Sequence, residues 1–264
     1  MSANDVVPAA GTVTISADAA EAGRRAGEVA AQVLRDTLAE RGQARVVFAS
    51  APSQDAMIRT LTSAEGIDWT KVTSLHLDEY RGIDPHHQAA FGQWLADRLP
   101  EQAHGGLDRI RTHGTAQAEI DRYTQILHDR PIDLVCLGIG VNGHLAFNEP
   151  GDTSFDDPRA IREVELTHTS RKQQVDEGLF TSLDEVPTHA LSMTVPAIMR
   201  GAALVCTVLG GAKAHAVSSS LTGEVTARVP ATALRTHERM FMFLDEGAAS
   251  KLPGDFPAER GESR

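Results

Sequence analysis

Short apolar runs recur along the chain, with longer amphipathic stretches between them. Val13–Ile15, Val46–Ala49, Val72–Leu77, Ile132–Leu137, Glu163–Leu166, Leu204–Leu209 and Met240–Leu244 are expected to be strands. The stretch from about Asp18 to Arg41 is rich in Ala, Glu, Arg and Leu, which are good helix formers. Further helices are expected over Ser53–Leu61, with Ser53 as N-cap, and over Phe91–Leu99, Gln117–Asp129 and Lys213–Leu221. Continuous apolar strands alternating with helices imply a mostly parallel sheet covered on both faces. No low-complexity linker and no internal repeat divides the chain. One α/β domain over residues 1–264 is therefore expected, with loose ends at about 1–10 and 252–264.

Composition narrows the partners. The 264 residues carry a formal net charge of -11, and hydrophobic residues make up 41%, enough for a sizeable core. An acidic surface disfavours nucleic acid and anionic membranes as bulk partners. A local anion site remains compatible with it, built from backbone N–H groups and a few cations. Cys136 and Cys206, the only cysteines, stand in apolar runs and are expected to be small core residues. No apolar run is long enough to span a bilayer, and Met1–Val7 has neither a basic n-region nor an apolar h-region. The cytoplasm is the expected compartment. The eleven histidines form no HExxH motif, and His86 and His87 are adjacent and so face apart, so no metal site is expected.

Ligands of open α/β sheets sit beyond the carboxyl ends of the strands. Four such ends carry unusual loops. Ala49–Gln54 joins a strand to a helix start, where exposed N–H groups and the Ser50 or Ser53 hydroxyl could hold a phosphate, or where an ordinary capped turn could stand. At Asp78–Glu79 two carboxylates leave an apolar strand. Shelter from water could raise an acid there into the range of a general base, while a helix cap or an ion-paired acid is the other reading. In Leu137–Gly151, Gly138, Gly140 and Gly143 let the backbone approach a ligand, and His144 stands five residues before Glu149, a spacing that suits an acid–base unit. Asn142 and Asn148 share that loop. It is neither GxGxxG nor a P-loop. Finally, Gly210-Gly211-Ala212-Lys213 puts a cation at a helix start, where the dipole disfavours it. An anion between the two would resolve the conflict, and a solvated lysine is the alternative.

These loops together resemble the glucosamine-6-phosphate deaminase (isomerase) family. Leu77-Asp78-Glu79-Tyr80 is similar to that family's aspartate motif, and Gly138 to Gly151 to its signature loop. Ala190–Val195 and the turn at Lys213 follow in order and spacing, so the resemblance covers roughly residues 10–250. It implies a three-layer α/β fold of modified Rossmann type and an enzyme that needs no metal or redox cofactor. It implies that Asp78 removes the C2 proton of a sugar phosphate, that His144 opens the pyranose ring, and that Glu149 orients His144. Asn142 stands where members carry Asp or Asn. Lys213 would bind phosphate, with Ser50, Ser53, Gly143 and Arg171 as further candidates for the substrate side.

Two departures concern the phosphate. The family's first loop usually reads Gly-Gly-Thr-Pro; here it is Ala51-Pro52-Ser53-Gln54, and Pro52 removes a donor. Many members carry a phosphate-binding arginine shortly after a Thr-Arg pair. Here Ser170-Arg171 is followed by Lys-Gln-Gln-Val-Asp-Glu-Gly178, without one, and Arg171, Lys172 or Gln174 is the candidate substitute. The expected reaction is isomerisation with deamination of an amino-sugar 6-phosphate, glucosamine 6-phosphate giving fructose 6-phosphate and ammonia. The alternatives are hydrolysis of a phosphosugar lactone, as in 6-phosphogluconolactonases, which usually lack the Asn148-Glu149-Pro150 found here, and a non-catalytic sugar-phosphate sensor. No basic DNA-binding segment supports the sensor. A homo-oligomer is compatible with the family, whose members include monomers and hexamers.

Overall fold

The structure is a computed structural model that describes residues 11–260. Strand β1 (Val13–Ser16) leads into α1 (Ala19–Arg41), which Asp18 caps by accepting from the Glu21 N–H. After β2 (Ala44–Phe48) a 3-10 turn, Pro52–Gln54, opens into α2 (Asp55–Ser63). Ser53 thus lies inside that turn, and no side chain caps α2. Next come β3 (Val72–His76), β4 (Asp78–Tyr80), α3 (Phe91–Ala96), α4 (Ala116–Asp129) and β5 (Leu134–Leu137). The second half runs β6 (Ile161–Glu165), α5 (His168–Asp176), β7 (His189–Met193), α6 (Val195–Ile198) and β8 (Leu204–Val208). It continues with α7 (Ala214–Thr222), β9 (Met240–Asp245), α8 (Glu246–Ala249) and β10 (Glu259–Arg260).

Seven strands form a parallel sheet in the order β10-β1-β9-β8-β5-β2-β3. Alternate side chains feed two different cores, as the period of two requires. On β5, Val135 and Leu137 pack on one face, while Leu134 and Cys136 pack on the other. On β9, Met242 and Leu244 oppose Phe241 and Phe243 in the same way. Helices α1 and α2 cover one core; α4 and α7 contribute to the other. The α/β sandwich expected from the apolar runs is therefore present. Both cysteines are buried in it, and burial pushes their thiols up.

A second sheet was not expected, although one of its strands was. It is antiparallel, in the order β4-β7-β6, and packs its own small core of Tyr80, Phe91, Phe147, Val164 and Phe180. Of the expected strands, Glu163–Leu166 belongs here and begins earlier, at Ile161. The tail expected to be loose over 252–264 contributes Glu259 and Arg260, which pair with Thr14 and Ile15 and extend the main sheet by one edge. The expected loose stretch 1–10 lies outside the described residues.

Candidate active site

The chain changes sheets at Leu77. Its N–H donates to the Phe48 carbonyl of the large sheet, and its carbonyl accepts from Met193 of the small one. The buried His76 fixes this crossing. Its Nε2 accepts from the Ile110 N–H at 2.9 Å, so Nδ1 carries the proton and donates to the Asp78 carbonyl at 2.8 Å. Burial holds this imidazole neutral, pulling it down to about 4.

The two acids that follow have different tasks. Glu79 caps the start of α3: its carboxylate accepts from the N–H groups of Tyr80, Phe91 and Gly92 at 2.8–3.0 Å. Burial raises it to about 7, and those three donors work against the rise. The Asp78 carboxylate accepts no hydrogen bond among the described residues and faces a cavity. Its residue is only 7% exposed. Burial first, and the Glu79 charge second, push it up to about 8. An unpaired, proton-hungry carboxylate on a cavity wall is the arrangement a general base needs.

Across the cavity the loop after β5 presents His144. Gly143 has φ 87, open to glycine at little cost. Gly140 lies under the imidazole so closely that a Cβ there would come within 2.1 Å of His144 Nε2. His144 Nδ1 stands 3.2 Å from Glu149 Oε1, off the line of a hydrogen bond. Glu149 is held by more than the histidine. Asn142 Nδ2 donates to Oε2 at 2.7 Å, and the Ser170 hydroxyl donates to Oε1. Burial pushes Glu149 up, but these contacts outweigh it and bring the acid down to about 2. It is a fixed anion beside Nδ1, able to hold one tautomer and stabilise an imidazolium. Asn142 Oδ1 also accepts from the His144 N–H. Asn148 is spent on structure, donating to the carbonyls of Leu145 and Met193.

The distal half of the site departs from expectation. Ser50 and Ser53 line the cavity, yet Ser50 donates to the Phe91 carbonyl and Ser53 Oγ accepts from Gln54 Nε2. Arg171 is turned away: it donates to the carbonyls of Leu183 and Val186 and ties α5 to that loop. Neither Gly143 nor Lys213 belongs to the wall. The anion expected beside Lys213 is supplied by the chain itself, as Glu177, 3.5 Å from Nζ. Gln173 and Gln174 of α5, with Glu177 just after it, complete the wall; of these only Gln174 was a candidate from the sequence, as a substitute for the missing arginine. Nor was Ser170 expected as Glu149's partner. Its position in a Ser-Arg pair was the available signal, read for the wrong member. The cavity holds about 80 Å³, small beside the ~300 Å³ at which ligand pockets usually begin. A wider depression of about 360 Å³, lined by Met199 and His237–Arg239, lies at the opposite end of the strands. His237 is already used there by the Gly201 carbonyl and the Arg239 N–H.

Residues 17–242 match the family described as glucosamine-6-phosphate isomerases/6-phosphogluconolactonase. The chain belongs to that family. It is 32% identical over 229 residues to the glucosamine-6-phosphate deaminase of Streptococcus equi subsp. zooepidemicus, covering 86% of this chain and 94% of that one. The Lactobacillus delbrueckii subsp. bulgaricus deaminase is 33% identical over 242 residues, covering 91% and 99%. A solved monomeric glucosamine-6-phosphate deaminase superposes with a TM-score of 0.80 at 28% identity, over 90% of this chain and 98% of that one. The 6-phosphogluconolactonase of Trypanosoma brucei superposes at 0.75 with 14% identity, over 92% and 98%, a likeness of fold alone. The three-layer α/β arrangement is thus that of the family.

Proposed function

We propose that this protein isomerises and deaminates an amino-sugar 6-phosphate, converting glucosamine 6-phosphate and water to fructose 6-phosphate and ammonia. The observation that carries the reading is the unpaired Asp78 carboxylate on the same cavity as His144, whose Nδ1 has Glu149 beside it. The relatives' activity agrees with it.

The chemistry divides between the two walls. His144, with Glu149 behind Nδ1, moves the proton between the anomeric hydroxyl and the ring oxygen, which opens the pyranose. Asp78 then takes the C2 proton. Electrons pass from the C2–H bond to C1 and its oxygen, and that oxygen takes a proton from solvent, giving an enolamine. Asp78 returns its proton to C1, the resulting imine at C2 adds water, and ammonia leaves. A base needs a pKa near the working pH, and Asp78 is raised toward it. Lys213, with the Ser50 and Ser53 hydroxyls, is the proposed seat of the phosphate once the Glu177 contact opens.

Purified protein incubated with glucosamine 6-phosphate, galactosamine 6-phosphate and 6-phosphogluconolactone tests this. Ammonia from an amino sugar is the expected result. Acid release from the lactone, with no ammonia from either amino sugar, would overturn the reading in favour of a lactonase.

A further inference from the structure

The distal end of the cavity carries an unfavourable charge for the anion it is proposed to hold. The wall there includes the Glu177 carboxylate and no lysine or arginine. Lys213 stands behind Glu177, with Nζ 3.5 Å from Oε1. The same oxygen accepts from Gln173 Nε2 at 2.8 Å, so the carboxylate is anchored from two sides. Both charged side chains are largely shielded, with 13% exposure for Lys213 and 24% for Glu177. Weak screening at such a place makes each charge count.

Other donors do not compensate. The Gly210 N–H, at the turn where an anion could meet the backbone, donates to both oxygens of Asp245. Pro52 supplies no N–H at the opposite loop, and the Ser50 hydroxyl donates to Phe91. A phosphate dianion reaching Lys213 must therefore displace the Glu177 carboxylate or sit against it. A primary hydroxyl carries no charge and faces no such conflict.

We infer that Glu177 is a specificity-determining residue. Its carboxylate competes with the substrate's phosphate for Lys213, and so sets how strongly the enzyme prefers a phosphorylated amino sugar to the free one. The inference rests on the deaminase reading for its substrate and on the Glu177–Lys213 geometry for its mechanism.

Glu177→Gln removes the charge and keeps a side chain of the same length. Titration calorimetry with inorganic phosphate reads the competition without turnover. The expected result is about tenfold tighter phosphate binding, which corresponds to ~1.4 kcal/mol. The ratio of kcat/KM for glucosamine 6-phosphate over glucosamine should rise by about the same factor. In a Lys213→Met background the substitution should bring no such gain. Phosphate affinity and substrate ratio that both stay at the wild-type level would overturn the inference, as would an equal gain in the Lys213→Met background. If wild type releases ammonia from neither sugar, the deaminase reading fails, and calorimetry still decides the role of Glu177.

Discussion

Asp78 gives a stability prediction that requires no substrate. Its carboxyl is raised from 3.8 to about 8, chiefly by burial. The folded state therefore keeps a proton that the unfolded chain has already lost. Stability must fall as pH rises from the unfolded value through about 8, and the cost is complete above that. Asparagine has the shape of the protonated acid and cannot ionise. Relative to wild type, Asp78→Asn should thus gain stability with rising pH, by at most ~1.4 kcal/mol per pH unit. Between pH 5.5 and 8.5 the ceiling is about 3 kcal/mol, because the titration ends near 8, and at least ~2 kcal/mol is expected after the cavity admits water. For a chain of this size that is roughly 4–8 °C in Tm. Thermal melts of both proteins at several pH values measure it. Glu79 is present in both, so its own titration largely cancels. A Tm difference that does not change with pH would refute the reasoning, because Asp78 would then be ionised in the folded protein throughout.

Two further outcomes follow from the same geometry. kcat/KM should climb with pH along a limb centred near 8, as Asp78 loses its proton; a limb centred near 4 in the pH profile would show an ordinary, unburied carboxylate in its place. Glu149→Gln keeps one of the two acceptor oxygens used by Asn142 and Ser170 but removes the anion beside His144 Nδ1, and should lower kcat by about 10²-fold or more in steady-state assays; kcat within a few-fold of wild type would mean His144 works without it.

The large sheet was legible because its strands are buried on both faces and read as unbroken apolar runs, such as Leu134–Leu137 and Leu204–Val208. The small antiparallel sheet was not. β4 is three residues, two of them acids, and directly follows β3, so it reads as a loop. β7 begins with the exposed His189 and carries Ser192 among its apolar residues. Helix α5 has almost no apolar stripe, and only Ser170 and Gln174 are buried on it. Asp78, His144 and Glu149 stand out as candidates because strand ends and a glycine-rich loop announce them locally. The ambiguity of the acid pair was resolved only by the fold, which gives Glu79 three backbone donors and leaves Asp78 none. The distal half was hidden for a related reason. Which way Arg171 turns, and that Glu177 reaches Lys213 across 36 positions, depends on where α5 docks.

The central claim is that Asp78 moves the C2 proton. NMR of glucosamine 6-phosphate in deuterium oxide tests it directly. Wild type should release ammonia and exchange the C2 proton with solvent, while Asp78→Asn should bind the sugar phosphate and leave that proton in place. Continued exchange by Asp78→Asn at the wild-type rate would contradict the account.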